Sequence, residues 1–317
     1  MMIALKAATP QLPKTKAVAD QVIALDEVGS TNALAAQMVG SGAMPLHKRD
    51  DGAMAVAVVA ADRQTAGRGR NGHRWVSQPG RCSTISYAVR VPRAIATDSS
   101  INGWLQMIAG LVTLDALNGM MREYGAVPNQ PDCFLELKWP NDVFCHGLKM
   151  GGLLSELVLL PAESETAEGA AAGNVGDTGD VNDAADAGDD VVIVFGVGLN
   201  LALGACRLPT PNSTSLQLHA AGLPSFDEMR DDVACRQVEG FRERLTKFFA
   251  DPHGQAEALR EEMKTVCWAR GRQVEAHFTD GSTLTGEAIG LTEDASLILR
   301  TDDGVEHTVR TADVGVL

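Results

Sequence analysis

A chain of 317 residues exceeds what a single hydrophobic core usually supports, and it accommodates one large domain plus a small one. Its 45% hydrophobic and 21% charged residues match an ordinary globular protein and exclude fibrous or wholly disordered classes. A formal net charge of −14 disfavours non-specific nucleic-acid binding, which needs an excess of Lys and Arg.

Residues 1–20 scatter Lys6, Lys14 and Lys16 among polar and proline positions without a continuous apolar stretch, so they are read as an N-terminal extension rather than a secretory signal. Val- and Ala-rich runs at 22–28 and 55–61 predict strands, with a helix at 30–39 between them that Ser30 or Thr31 can cap. A further strand is expected at 84–91. Over 103–124 the apolar residues Trp104, Met107, Ile108, Leu111 and Leu114 recur at helical spacing, which predicts an amphipathic helix laid on one face of a sheet. Strands at 135–138, 153–160 and 191–197 follow, punctuated by Gly and Pro. Residues 161–190 hold nine acidic residues and no basic one, and they lack the large apolar groups that would offset the entropy of ordering. They are expected to be a disordered insertion, and without them the chain is only mildly acidic.

Helical patterns cover 227–249 and 255–266, and the character changes at Trp268. Beyond it, short strands are expected at 273–278, 283–290, 297–301 and 305–309, separated by Asp280-Gly281 and Asp303-Gly304 turns. The result is an α+β domain over 21–266 and a small β-barrel over 267–317. No internal repeat is found, and no apolar run is long enough to span a bilayer, so a cytoplasmic protein without membrane contact is expected. The six cysteines, Cys82, Cys133, Cys145, Cys206, Cys235 and Cys267, lie far apart without a CxxC pair. Neither a zinc cluster nor a disulfide framework is expected from that spacing.

Two stretches carry chemistry. In residues 64–75, Gly67, Gly69 and Gly72 are interleaved with Arg68, Arg70 and Arg74, a flexible backbone whose amides and guanidinium groups can close on a phosphate or carboxylate. A solvated Gly/Arg hairpin or an RNA-binding patch would look alike at this level. No Gly-Lys-Ser/Thr closes the loop, and its glycine spacing does not fit a dinucleotide fingerprint. The second stretch, Leu137-Lys138-Trp139-Pro140-Asn141-Asp142-Val143, precedes Gly147-Leu148-Lys149-Met150-Gly151-Gly152. It sets two lysines and an Asn-Asp pair at a strand end, where side chains can converge on a ligand. Alone, Trp139 reads equally well as core and Asn141-Asp142 as a turn.

Together these stretches resemble the biotin protein ligases, the family that biotinylates acetyl-CoA carboxylase. The likeness covers residues 22–317 apart from the acidic insertion. The family's Ser-Thr-Asn stands at Ser30-Thr31-Asn32, its Gln-x-x-Gly-Arg-Gly-Arg loop at 64–70, and its Lys-Trp-Pro-Asn-Asp at 138–142. Its Lys-x-x-Gly-Ile-Leu-x-Glu stands at 149–156 with Leu153 for Ile, and its Gly-x-Gly-x-Asn at 196–200. The resemblance implies a mixed or antiparallel sheet flanked by helices, of the class II synthetase-like kind, with a C-terminal SH3-like β-barrel. It also implies activation of biotin by ATP to biotinyl-AMP, with Mg²⁺, and transfer to a lysine of a biotin carboxyl carrier protein or domain.

The roles implied residue by residue are these. Ser30, Thr31, Asn32, Gln64, Arg68, Gly69, Arg70 and Lys149 would bind biotin, and Arg70, Trp75, Asn141, Asp142, Lys149 and Asn200 would hold ATP or the adenylate. Lys149, Arg68 and Arg70 would act catalytically, and Asp142 would be the metal ligand. Asn71 and His73 depart from the basic residues many relatives carry, which implies a looser loop. Relatives that repress transcription carry a winged helix-turn-helix domain before Ser-Thr-Asn, whereas 29 residues precede Ser30, so DNA binding is not expected. A homodimer through a sheet edge is compatible with the family. The rival readings are a lipoate or octanoate ligase or transferase, and a non-catalytic biotin sensor.

Overall fold

Alternating β-branched runs and amphipathic segments produce one seven-stranded mixed sheet with helices on both faces, followed by a smaller antiparallel sheet. The computed structural model describes residues 6–47, 49, 52–130, 134–160 and 190–316. The expected acidic insertion, apart from Asp190, lies outside the described residues.

In chain order the first body contains α1 (Pro13–Val18), β1 (Gln21–Val28), α2 (Thr31–Gly40), β2 (Val56–Gln64), β3 (Cys82–Pro92), α3 (Arg93–Thr97) and α4 (Gly103–Glu123). It continues with β4 (Val127–Pro128), β5 (Leu135–Lys138), β6 (Asp142–Cys145), β7 (Leu148–Leu159), β8 (Asp190–Asn200), β9 (Ala220–Ala221), α5 (Phe226–Ala250) and α6 (Pro252–Val266). The large sheet runs β1-β2-β3-β8-β7-β6-β5, with β1 parallel to β2 and the remaining neighbours antiparallel.

Strand periodicity divides the core. Val56, Val58 and Ala60 of β2 point into the layer built with α4 and α5, whereas Ala57 and Val59 pack with Ala35 and Val39 of α2. Being covered on both faces, β2 and β3 are buried along most of their length; β2 opens as a continuous apolar run, whereas β3 buries Ser83, Thr84 and Ser86 among its apolar residues. Helix α5 begins with a capping box between Ser225 and Glu228, a start signal the helical spacing alone does not supply.

Several short elements were not expected. Helix α1 opens on Pro13 and docks on α5, where the Thr15 backbone N–H and hydroxyl both donate to Asp231 Oδ1 at 2.9 and 2.8 Å. The segment read as an extension is thus packed into the large body. The strand expected from residue 153 starts at Leu148, because His146 and Gly147, with φ of 50° and 70°, form a two-residue turn that pairs it with β6.

The smaller sheet comprises β10 (Gln273–His277), β11 (Thr283–Leu291), β12 (Leu297–Arg300), β13 (Glu306–Val309) and β14 (Asp313–Val316), in the order β13-β12-β11-β10-β14. This is the expected small β unit with one strand more. It is fastened to the large body by indole donors: Trp104 Nε1 bonds Glu293 O at 2.6 Å and Trp139 Nε1 bonds Ala295 O at 2.9 Å. Trp268, at the expected boundary, packs against Phe144 with the rings tilted by 54° and their centroids 4.8 Å apart.

Strands β7 and β8 stay paired up to Leu159 and Val191. The chain ends flanking the acidic segment are therefore adjacent, and shortening the connection carries only a small loop-closure term. Deleting residues 162–189 is expected to move Tm by less than about 3 °C in differential scanning calorimetry. A fall of about 10 °C or more would show that the segment contributes to the packed structure.

Candidate active site

A cavity of about 490 Å³ opens where β2 runs into the glycine-rich loop, β7 begins and β8 ends. All twelve sequence-predicted site residues line it: Ser30, Thr31, Asn32, Gln64, Arg68, Gly69, Arg70, Trp75, Asn141, Asp142, Lys149 and Asn200.

One end is a buried polar network. Ser30 caps α2 by accepting the Ala33 N–H, so the helix start fixes its hydroxyl. The Thr31 N–H and hydroxyl both donate to Gln64 Oε1, at 2.8 and 3.1 Å. The Ser86 hydroxyl lies 2.8 Å from Thr31 Oγ1 and 2.6 Å from Asn32 Oδ1. Asn32 Nδ2 donates to Leu154 O and to Glu156 Oε2 at 2.8 Å, and the other Glu156 oxygen faces Arg68 at 3.2 Å. Asn32 is seated over Gly196, where a Cβ would run into its amide. Such a network fixes donor and acceptor directions before a ligand arrives.

The glycine-rich loop is a closed hairpin rather than the open flexible segment its composition suggests. Gly69 N–H bonds His73 O at 2.7 Å, Trp75 N–H bonds Gly67 O at 3.0 Å, and Asn71 and Gly72 make the turn with φ of 52° and 76°. Trp75 lies against Gly198, where any Cβ would enter the ring, and its buried Nε1–H has no acceptor among the described residues. That donor is available to a ligand.

Cations gather at the other end. Lys149 is held by its backbone, its N–H bonding Asn212 O and its C=O accepting the Thr214 N–H, both at 2.8 Å. Its Nζ lies 2.6 Å from Asp142. Asn200, expected from sequence to hold ATP or the adenylate, donates to Thr214 O at 3.0 Å and so also supports the segment that holds Lys149. Asn141 Nδ2 bonds Leu153 O, and its Oδ1 faces Arg70 at 3.4 Å.

Sequence reasoning gave no role to Glu156, Ser86 or Asp313, and it set Lys138 near a ligand without assigning it a task. Burial holds the Lys138 ammonium below the usual lysine range, with Asp142 opposing and Lys149 adding to the shift. Asp313, the first residue of β14, bonds Asn71 Nδ2 at 3.0 Å and lies 3.8 Å from Arg70 and 3.6 Å from His73. Burial raises its pKa, but the Asn71 hydrogen bond and then Arg70 and His73 outweigh that and hold the carboxyl below its usual range. Asn71 and His73, the two departures from the expected basic pattern, thus meet a carboxylate from the small sheet. Only the Lys-Trp-Pro-Asn-Asp motif signalled Lys138, and no local pattern marks Asp313.

The arrangement brings Arg70, Lys138 and Lys149 beside a directional polar pocket. It can hold two anionic groups in proximity and stabilise charge that develops between them.

Residues 49–168 match the Biotin/lipoate A/B protein ligase family, and residues 271–316 match the Biotin protein ligase C terminal domain. The chain is 36% identical over 137 residues to the biotin--[acetyl-CoA-carboxylase] ligase of Mycobacterium tuberculosis, a match covering 43% of this chain and 44% of that protein. It is 24% identical over 304 residues to the bifunctional ligase/repressor BirA of Bacillus spizizenii, covering 95% of this chain and 75% of that protein. The first of these matches thus spans less than half the relative's length. The solved biotin protein ligase from Aquifex aeolicus in complex with biotin and ATP shares the fold, with a TM-score of 0.58 at 19% identity, covering 94% of this chain and 99% of that one.

Proposed function

Because the chain belongs to the biotin/lipoate A/B protein ligase family and carries a biotin protein ligase C-terminal domain, we propose that it activates biotin with ATP and transfers the biotinyl group to a lysine of a biotin carboxyl carrier domain. The observation that carries the reading is the cavity itself, a fixed network of amide and hydroxyl groups at one end and Arg70, Lys138 and Lys149 at the other.

The ureido ring of biotin needs donors and acceptors in fixed directions, which Ser30, Thr31 and Gln64 supply, with Asn32 holding the wall behind them. The biotin carboxylate then lies toward Arg68 and Arg70. One of its oxygens attacks the α-phosphorus of ATP, a new P–O bond forms, and pyrophosphate leaves with the electrons of the broken bond. Lys149 stabilises the charge on the phosphoryl oxygens, and the Trp75 Nε1–H and Asn141 orient the adenylate. The amine of the carrier lysine attacks the acyl carbon and gives up a proton, and AMP departs.

Magnesium enters this reading with the nucleotide. Asp142 Oδ1 is buried and close to Lys149 Nζ but accepts no well-directed hydrogen bond, so the site fits an ion held mainly by substrate phosphates with one protein carboxylate. Such an ion would screen phosphate charge.

The decisive experiment is pyrophosphate exchange into ATP with biotin, lipoate and octanoate in parallel. Biotin alone is expected to support exchange, and the same protein is expected to label the carrier lysine. Exchange with lipoate or octanoate but not biotin would assign the chain to the other branch of its family, and biotin binding without any exchange would make it a sensor. Gly196→Ala is expected to weaken biotin binding about tenfold to a hundredfold in calorimetric titration, because it displaces Asn32. Unchanged affinity would remove Asn32 from the biotin end of the cavity.

Among the described residues no helix is long and apolar enough to cross a membrane. A cytoplasmic location goes with the proposed substrates, and no DNA-binding role is proposed. A homodimer would form along β1, since Cys267 bridges Leu137 and Trp268 bonds it at the opposite, β5 edge.

A further inference from the structure

The turn between β6 and β7 approaches the segment that follows Asn200. Cys145 ends β6, His146 is the first turn residue, and His219 follows the 3-10 turn Leu216–Leu218. The Cys145 sulfur and one nitrogen of each imidazole all lie within 4.8 Å of one another. The two rings stack, with centroids 5.2 Å apart and planes inclined by 30°. His146 adopts a φ of 50°, a conformation in which histidine is tolerated but asparagine or glycine is the ordinary choice for such a turn. Cysteine spacing gave no hint of this cluster, because its donors come from an adjacent pair and from a distant loop.

The geometry points to a site for one borderline divalent cation, zinc by preference, held by Cys145 Sγ and the imidazoles of His146 and His219. Thiolate and imidazole together select zinc over magnesium or calcium, which take oxygen ligands. A tetrahedral zinc sets such donors about 3.4–3.6 Å apart, so a small side-chain adjustment closes the site. A solvent molecule completes the fourth position. On coordination the Cys145 thiol loses its proton to solvent, and no oxidant or reductant is needed.

The site is placed to restrain Lys149. His219 Nε2 lies 2.5 Å from Thr214 Oγ1, and the Thr214 N–H holds the Lys149 carbonyl. Phe144 and Lys149 are register partners within the hairpin whose turn carries His146. A metal at this position fastens the turn to the segment that carries Thr214. The inference rests on side chains outside the cavity and is independent of the ligase reading.

The test uses the full chain with Cys133→Ser and Cys206→Ser, so that the signal reports Cys145, after treatment with a chelator and desalting. Cobalt is titrated by absorbance, and zinc by competition with a chromophoric chelator. One equivalent of each is expected, with a thiolate-to-cobalt charge-transfer band in the near ultraviolet, and zinc is expected to raise Tm. Cys145→Ser should abolish the band. His146→Asn, which suits the positive φ, and His219→Gln should each weaken zinc at least about tenfold with unchanged Tm of the metal-free protein. If Cys145→Ser does not fold, the two histidine variants decide the matter. Absence of one-equivalent binding, or affinity and band unchanged in both histidine variants, overturns the proposal.

Discussion

Lys149→Ala is expected to lower biotin-dependent pyrophosphate exchange about a thousandfold, roughly 4 kcal/mol of transition-state stabilisation, with the fold intact. The fold is spared because Asn212 and Thr214 grip the Lys149 backbone rather than its side chain. What the substitution removes is a positioned cation, next to a carboxylate, at the end of the cavity where charge develops. Arg70→Gly makes the informative contrast. Arg70 belongs to the glycine-rich hairpin and touches Asn141 and Asp313, so its loss should loosen the hairpin while leaving Lys149 in place. Exchange should stay within about tenfold of the parent, but biotinyl-AMP should escape and label bystander lysines. Measuring exchange and free adenylate on the same two proteins separates the roles. If Arg70→Gly loses exchange as thoroughly as Lys149→Ala and releases no adenylate, the hairpin takes part in the chemistry itself.

The largest expected effect on stability lies away from the cavity, at Asp62. This carboxylate is 3% exposed and accepts Arg230 Nη1 at 3.0 Å, the Gly80 N–H at 2.9 Å and the Ala8 N–H at 3.1 Å. Arg230 is buried as well and lies over the Phe226 ring. Removing one partner of a buried pair leaves the other charge in a poor solvent, a loss of about 3–5 kcal/mol. Asp62→Ala should therefore lower Tm by about 10 °C in calorimetry, and Asp62→Asn, which keeps the acceptor oxygen, by less. A shift under about 2 °C for Asp62→Ala would mean that the exposed Asp227, which already accepts from Arg230 Nη2 at 2.6 Å, is enough to compensate the guanidinium.

Helices α2, α4, α5 and α6 were legible because each carries a helical period or a cap that acts locally, whereas the short α1 and α3, which have no side-chain cap, were not. Ser30 stands one residue before α2, and the apolar positions of α4 recur over six turns. Of the four-residue strands, β5, β12 and β13 were read, whereas β6 opens on Asp142, read as half of an Asn-Asp turn, and β14 opens on Asp313 and holds Gly315, so these two went unseen. The site residues were legible for a different reason: most lie in contiguous runs, such as 64–75 and 138–142, whose composition is unusual. Their partners are not contiguous with them. Glu156 closes a motif without announcing that it joins Asn32 to Arg68, and Asp313 lies more than two hundred residues from the arginine it faces. The hairpin misled for a related reason. Glycine content measures what a backbone can do, whereas the amides of Gly69, His73 and Trp75 are committed to partners within the same loop.

The pairing of β7 with β8 has a practical corollary for building with this protein. Lys149 stands near one end of β7 and Leu159 at the other, a separation of roughly 34 Å at the usual strand rise. Leu159 is opposite Val191, so the junction beyond them is a splice point remote from the cavity. A fluorescent or targeting module inserted there would be carried at a strand's length from the reacting atoms. Helix α1 and strand β14, both packed into the body, would bear none of its load.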